Sequence, residues 1–354
     1  MSRIVVLASG GVDSSVALLR LAEEGRHSLE VCYLKIWLSD EMAFLGRCPW
    51  EEDLAHVRAV CERLGVPLRV LPLQREYFAT VVEYTIAELR AGRTPSPDVV
   101  CNRAIKFGAV IDRLGDEFEL VASGHHARVG QRGGLARLLR GADPVKDQSY
   151  FLCQLSQRQL ARCVFPIGGM TKAEVRAAAR RAGLANQDRP DSQGICFLGR
   201  VPYDDFIEFS LGTREGDILE HGTGRVLGRH RGYWFHTIGQ RRGLGLAGGP
   251  WYVVAKDPER NLVTVVHAGR LAEHRRTRFR IAAPVWIAAP PARTRLEVRI
   301  RHGERLLPCT AEVAADGSVE VTLDDGDAGI AAGQFAALYD GEECLGGGPV
   351  AAEV

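Results

Sequence analysis

Three groups of side chains have types and spacing suited to chemistry. The first is Ser9-Gly10-Gly11-Val12-Asp13-Ser14-Ser15, which follows the apolar run Ile4-Val5-Val6-Leu7-Ala8 and precedes an apolar stretch from Val16 to Ala22, closed by Gly25. That order reads as strand, tight loop, helix, with Gly25 as the helix cap. A Gly-Gly turn at a helix N-terminus lets backbone N–H groups approach a phosphate, and the helix dipole favours negative charge there. The loop has no lysine, so it is not the G-x-x-x-x-G-K-[ST] phosphate loop. Serine hydroxyls stand instead, and Asp13 is placed either to orient them or to help hold a magnesium ion. The second group is Pro95-Ser96-Pro97-Asp98-Val99-Val100-Cys101-Asn102. Two prolines fix the backbone before an acid, and a thiol follows three residues later. A thiol becomes a nucleophile through a lowered pKa or an adjacent base, and Asp98 can serve Cys101 as acid or base. A lone cysteine is more often a small buried apolar residue. The third is Cys196, in a polar, glycine-containing loop from Asn186 to Gly199.

The elements that must position these groups alternate. Strands are expected at Leu29 to Trp37, Leu68 to Leu73 and Glu119 to Ser123; helices at Trp50 to Leu64, Tyr77 to Arg90 and Ile105 to Leu114. Alternation of this kind implies a doubly wound parallel sheet with helices on both faces. Ligands then bind beyond the carboxyl ends of the strands, so the Ser-Gly-Gly loop and Gly124-His125-His126 share one rim. Thr171-Lys172-Ala173-Glu174 is a capping box that starts a helix running to about Ala182. Beyond Pro202 glycines become frequent and helical periodicity fades. From about Thr277 the pattern has period two, as in Leu296, Val298 and Ile300 against Arg295, Glu297 and Arg299. Asp316-Gly317 and Asp340-Gly341 are hairpin signals. The expected division is an α/β catalytic domain over 1–202, a small central domain over 203–274 and a C-terminal β-barrel over 275–354.

Composition narrows the setting. The chain has 354 residues, 46% hydrophobic and 25% charged, as in ordinary globular proteins. Net charge is +1, so no global field points to a polyanion. Nine cysteines without a C-x-x-C pair argue against a zinc ribbon and a secreted disulfide framework, and for a reducing, cytoplasmic setting. No apolar run suits a signal peptide or a membrane span. Charge is uneven late in the chain. From Arg270 to Arg305 there are ten arginines against Glu273, Glu297 and Glu304, and from Leu306 onward ten acids and no Lys or Arg. The basic segment suits an RNA phosphate surface; the bland reading is a solvated strand face in a chain with only five lysines.

The Ser9–Ser15 heptad resembles the pyrophosphate-binding loop of the ATP pyrophosphatases, which cleave ATP between the α and β phosphates and adenylate a substrate oxygen. Joined with Pro97-Asp98-Val99-Val100-Cys101-Asn102, Gly124-His125, Lys146 to Leu152, Asp191-Ser192-Gln193-Gly194-Ile195-Cys196-Phe197, Gly239 to Gly245, Trp251 to Val254 and Cys344 to Gly348, it resembles the tRNA-specific 2-thiouridylase family, collinear over nearly the whole chain. That resemblance implies ATP-dependent 2-thiolation of the wobble uridine of tRNA (position 34), with ATP and Mg2+ as cofactors. Leu7, Ala8 and Ser9 to Ser14 (Ser9, Gly10, Gly11, Val12, Asp13, Ser14) would cradle ATP, with Leu34 and Gly124 beside the nucleotide. Cys196 would carry sulfur as a persulfide received from a cysteine desulfurase or a sulfur-relay protein. Cys101 would free that sulfur through a transient disulfide, and Asp98 would act as acid or base. Ser96, Pro97 and Asp98 would meet the target base. His125, Lys146, Asp147, Gln148, Arg301, His302 and Gln334 match tRNA-contacting positions. No metal-ligating residue of the chain and no membrane partner is implied.

The sequence departs from the family at Ser96 (usually Asn), Gln193 (Thr or Ser), His126 (Tyr) and Ile36 (Asn), and Leu38 to Trp50 lacks an acidic run. Other readings stay open. An iron–sulfur cluster on Asp98, Cys101 and Cys196 ranks below the persulfide route. A ligase amidating a small molecule would need neither cysteine, and an RNA-binding protein on a dead nucleotide fold would not turn over ATP. Cys32, Cys61, Cys153, Cys163, Cys309 and Cys344 read as structural, and Cys48 is ambiguous. His125 and His126 can equally cap a strand end, and Gly239 to Gly245 can be a plain turn.

Overall fold

A computed structural model describes residues 1–36, 50–191, 202–303 and 305–352. Cys196, Gln193, Cys48 and most of the Leu38 to Trp50 segment lie outside the described residues.

The N-terminal half is built on a parallel sheet of β1 (Arg3–Leu7), β2 (Ser28–Lys35), β3 (Leu68–Pro72), β4 (Leu120–Ser123) and a two-residue strand at Cys163–Val164, in the order β3-β2-β1-β4 and then the short strand. Continuous apolar runs build this sheet because helices cover both faces. Ile4 and Val6 face one core with α1 (Val12–Glu24) and α2 (Trp50–Leu64); Val5 and Leu7 face the other, with Tyr77, Val100, Cys101 and Phe107. Helix α1 ends at Gly25, in the left-handed region at φ 61°, and α2 has the expected bounds. Chain order reverses on the two sides of β1, which puts the topological switch point at the loop after it.

A second sheet of four strands, Gly216–Glu220, Val226–His230, Trp251–Asp257 and Leu262–His267, closes over Ile218, Tyr233, Trp251, Val253, Val263 and Val265. The C-terminal sheet is antiparallel: Arg276–Ile281, Val319–Asp327, Leu307–Val313, Arg295–Arg299, Phe335–Asp340 and Glu343–Pro349 follow one another. It curls until Ile281 bridges Val350, which brings the first strand back to the end of the last. Val298, Cys309, Val319 and Leu338 fill it. Both hairpin signals hold, with Gly317 at φ 82° and Gly341 at φ 62°.

One feature crosses the expected division. A hairpin of Ala127–Arg132 and Leu135–Arg140, from the N-terminal half, pairs through Leu138 and Leu139 with Cys344 and Glu343 of the last strand. At the same junction Arg299, with no exposure, pairs with the buried Asp147 at 2.9 Å. The charge asymmetry also resolves. Antiparallel pairing sets the basic segment against the acidic one: Arg295 pairs with Asp324, Arg301 with Asp327, Arg280 with Asp316 and Arg293 with Asp340. Four arginines of the expected RNA-binding patch therefore have carboxylate neighbours within the barrel.

Candidate active site

The Ser-Gly-Gly loop sits at the carboxyl end of β1 and is tied down on every side. Gly11 is the helix N-cap and supplies no side-chain cap, so the first-turn N–H groups of α1 keep their donors for a ligand. Ser14 Oγ and Ser15 Oγ both donate to Gly11 O, at 3.0 and 3.1 Å, and Ser9 N donates to Ser14 Oγ. Ser9 itself is exposed. The buried Asn186 donates to Gly10 O and Ser15 Oγ, at 2.8 and 2.9 Å. Arg189 donates to Gly10 O and pairs with Asp53 of α2. Gly10 has φ 77°, and a Cβ there would stand 2.7 Å from Asp53 O, so the position requires glycine twice over. Across the switch point, a Cβ on Gly124 would fall 2.5 Å from Ser14 N. Glycine at the end of β4 is what lets that strand close on the loop. Leu34, at the end of β2, lies on the same rim and is half-buried.

The lysine missing from the loop comes from elsewhere. Thr171 and Glu174 form the expected capping box, and Lys172 opens the helix Lys172–Arg181. Its Nζ stands 2.6 Å from Asp13 and 2.7 Å from Asp191. Asp191 also takes Lys146 at 2.8 Å and Arg176 at 2.6 Å. Burial alone would push both carboxyls up; contacts with His126 and Lys172 hold Asp13 below its ordinary range, and those with Lys146 and Lys172 hold Asp191 well below it. Sequence reasoning assigned no role at this loop to Lys172, Arg176, Asn186, Arg189 or Asp191. The available signal was a deficit: a phosphate loop without a cation, in a chain with five lysines to choose from.

The thiol end of the rim is different in character. Ser96 stands at the N-terminus of a helix, Pro97–Cys101, without a side-chain capping bond, and Pro97 takes its first position, where a missing N–H costs nothing. The helix continues through a wide π-helical stretch, Asn102–Ala109, into Val110–Leu114. Asp98 and Cys101, three residues apart, lie on one face. Asp98 is half-buried, but Cys101 is 1% exposed, within the apolar core. The barrel reaches this helix directly: Phe335 N donates to Ser96 Oγ at 3.3 Å, and Thr94 N donates to Ala332 O. Gln334 therefore stands beside Ser96. His302 stacks on Phe151, ring centroids 4.7 Å apart. Phe151 O in turn takes the side-chain amide of Asn102 at 3.1 Å.

The structure sorts the expected RNA contacts. Ser96, Asp98, His302 and Gln334 converge on the thiol end, and Arg301 is exposed beside His302. Lys146 and Gln148 are half-buried; Gln148 takes the backbone N–H of His126. Two residues are spent internally. The ring of His125 is buried between Phe107 and Phe165, with Ser123 Oγ at 2.8 Å from Nδ1, and burial holds it neutral. Asp147 accepts from Gly141 N, Ser149 N and Ser149 Oγ besides Arg299. Its carboxylate fixes the junction of the two halves, and the flanking Lys146 and Gln148 are what it can present. Among the described residues no set of three or more His, Cys, Asp or Glu side chains could hold a metal ion, and no helix is long and apolar enough to cross a membrane.

Comparison with known proteins gives this architecture its relatives. Residues 2–200 match the family model described as tRNA methyl transferase HUP domain, 204–267 its PRC-barrel domain, and 276–350 an aminomethyltransferase beta-barrel domain. The chain is 42% identical to the tRNA-specific 2-thiouridylase MnmA of Porphyromonas gingivalis, covering 98% of both chains. It is 42% identical to tRNA-specific 2-thiouridylase MnmA 2 of Bacteroides fragilis, over 98% of this chain and 99% of that one. The same identity holds for the enzyme of Chromohalobacter salexigens, over 98% and 92%. With three domains matched in order and full-length identity at this level, the chain belongs to the tRNA-specific 2-thiouridylase family.

Proposed function

We propose that this chain converts the C2 carbonyl of the wobble uridine of tRNA to a thiocarbonyl in two stages, one at each end of the rim. A uridine carbonyl oxygen is a poor leaving group. Joined to AMP it becomes a good one, so activation must come first. The observation that carries the reading is the convergence at the Ser9–Ser14 loop: helix N–H groups, exposed Ser9 and a lysine from a distant helix, packed against Gly124. The loop would hold the β and γ phosphates of ATP, and Lys172 would offset charge on the departing pyrophosphate. Its present partner Asp13 stands where phosphate oxygens would compete for it. A magnesium ion would take its ligands from phosphate oxygens and water, with Asp13 the nearest carboxylate of the chain.

In the second stage the Cys101 thiolate would attack the inner sulfur of a persulfide on Cys196. A Cys101–Cys196 disulfide forms, and the outer sulfur leaves with its electron pair. That sulfur adds to C2, and AMP departs carrying the original O2. A reductant later supplies two electrons to reopen the disulfide, and a desulfurase or relay protein reloads Cys196. Asp98, one helical turn from Cys101, would move the proton. The wobble base lies in a single-stranded loop, so it enters a pocket at lower cost than a paired base.

The test is mass spectrometry of nucleosides from unmodified tRNA incubated with the chain, ATP, magnesium and a sulfur source. Wild type should yield 2-thiouridine, and Cys101→Ser and Cys196→Ser should each yield none. ATP cleavage without thiolated base, unchanged in both variants, would sink the reading in favour of a ligase.

A further inference from the structure

We propose that His126 is a positioning residue of the phosphate loop: its ring N–H takes over Asp13 when a bound triphosphate draws Lys172 away. The proposal rests on the nucleotide reading of the Ser9–Ser14 loop above. His126 follows the end of β4 and is 1% exposed. Among the described residues neither of its ring nitrogens has a hydrogen-bond partner. Buried polar groups nearly always have one, so this imidazole calls for a cause. Its Nε2 stands 3.6 Å from Asp13 Oδ1, just beyond hydrogen-bond reach. Lys172 Nζ holds that same oxygen at 2.6 Å. Two donors thus aim at one acceptor atom, and one of them waits.

The surroundings leave the ring that one target. Asp143, the other carboxylate within electrostatic reach, is occupied. Its Oδ2 accepts from Lys172 N at 3.0 Å, and its Oδ1 accepts from Val145 N and Lys146 N at 3.0 and 3.2 Å. The backbone of His126 is fixed on both sides, its N–H donating to Gln148 Oε1 and its carbonyl accepting from Gln148 N, each at 2.9 Å. Ring motion remains, and about 0.7 Å brings Nε2 to ordinary N–H···O length. Imidazole offers an N–H in either charge state, so the bond needs no titration. The nucleotide creates the need for it. Asp13 lies in the first turn of α1, where the helix dipole favours an acid. A phosphate arriving at that N-terminus is a like charge beside it. Lys172 is already divided between Asp13 and Asp191. When its ammonium turns to phosphate, Asp13 loses that ion pair, and His126 supplies the replacement.

The experiment is calorimetric titration of the full chain with the α,β-methylene analogue of ATP and magnesium. His126→Phe keeps the bulk of the ring and removes the donor. It should raise Kd about 10- to 100-fold, the worth of one hydrogen bond to a charged group. His126→Gln, which carries an amide N–H near the place of Nε2, should restore most of that loss. In Lys172→Met, Asp13 has His126 with and without nucleotide, so adding His126→Phe should leave Kd within about 2-fold. A second readout needs no phenylalanine variant. In nitrogen-labelled wild type, the ring N–H resonance of His126, assigned by its loss in His126→Gln, should move downfield when the analogue binds. A wild-type Kd in His126→Phe overturns the proposal. So does an equal loss with and without Lys172, which would make His126 a static support, and so does a resonance that stays in place. Wild type that does not bind the analogue overturns the proposal together with the nucleotide reading, whereas binding with a silent His126 overturns the proposal alone.

Discussion

At the nucleotide end of the rim, Lys146, Lys172, Arg176 and Arg189 meet Asp13, Asp53 and Asp191 around one loop, whereas at the thiol end the catalytic candidate is 1% exposed among apolar side chains. The first end is charged, hydrogen-bonded and open; the second is apolar and closed. The difference follows the chemistry each end would serve. A polyphosphate is bound by fixed donors and charges that exist before it arrives. A thiol with the proposed role of cutting a persulfide would have to be kept from stray oxidants until the substrate is in place, and burial would do that.

The contrast can be broken in three ways. The largest effect should be in thiol access. Seven cysteines, Cys32, Cys61, Cys101, Cys153, Cys163, Cys309 and Cys344, are buried, so native Cys101 should react with iodoacetamide about 1,000-fold slower than in the unfolded chain, by peptide mass spectrometry. Fast labelling of Cys101 in the free chain would erase the distinction between the ends. Next, Lys172→Met should lower the thiolation rate about 100- to 1,000-fold, the usual scale for losing one preorganised charge-stabilising group, with RNA affinity unchanged in a filter-binding assay. Full activity in that variant would show that the nucleotide end does not depend on its borrowed lysine.

The smallest effect concerns acid. Asp13 and Asp191 are held below the unfolded value of 3.8. A carboxyl depressed by folding adds stability above its unfolded pKa and loses it as pH falls through the folded one. Thermal unfolding of the free chain should therefore shift downward from about pH 4, and Asp191→Asn should flatten that shift. A pH response identical in wild type and Asp191→Asn would mean that the ion pairs here carry no net stability.

Local chemistry was readable in the sequence and long-range chemistry was not. The capping box at Thr171, the bounds of α2 and the Gly317 and Gly341 turns are set by residues within a few positions of one another, so pattern alone reaches them. The doubly wound sheet was legible for the same reason. Lys172 and Asp13 are 159 residues apart, and nothing in their flanks announces the meeting. The carboxylate neighbours of the arginine-rich segment were not legible, because charge was counted along the chain while the fold brings Arg295 to Asp324 and Arg301 to Asp327. His125 and Asp147 carry types that suit RNA, yet burial among Phe107 and Phe165, or against Arg299, gives them structural work instead.

The strand Leu135–Arg140 has a consequence for how the molecule is made. Its outer partner is the strand Glu343–Pro349, synthesised some two hundred residues later. While the ribosome is still translating the barrel, the N-terminal half carries a hydrogen-bonding edge with no neighbour, next to Asp147 without Arg299. Such an edge invites pairing between nascent chains. The strand Glu343–Pro349 covers that edge, so the N-terminal half reaches its full set of strand neighbours only once residues some two hundred positions downstream have been made.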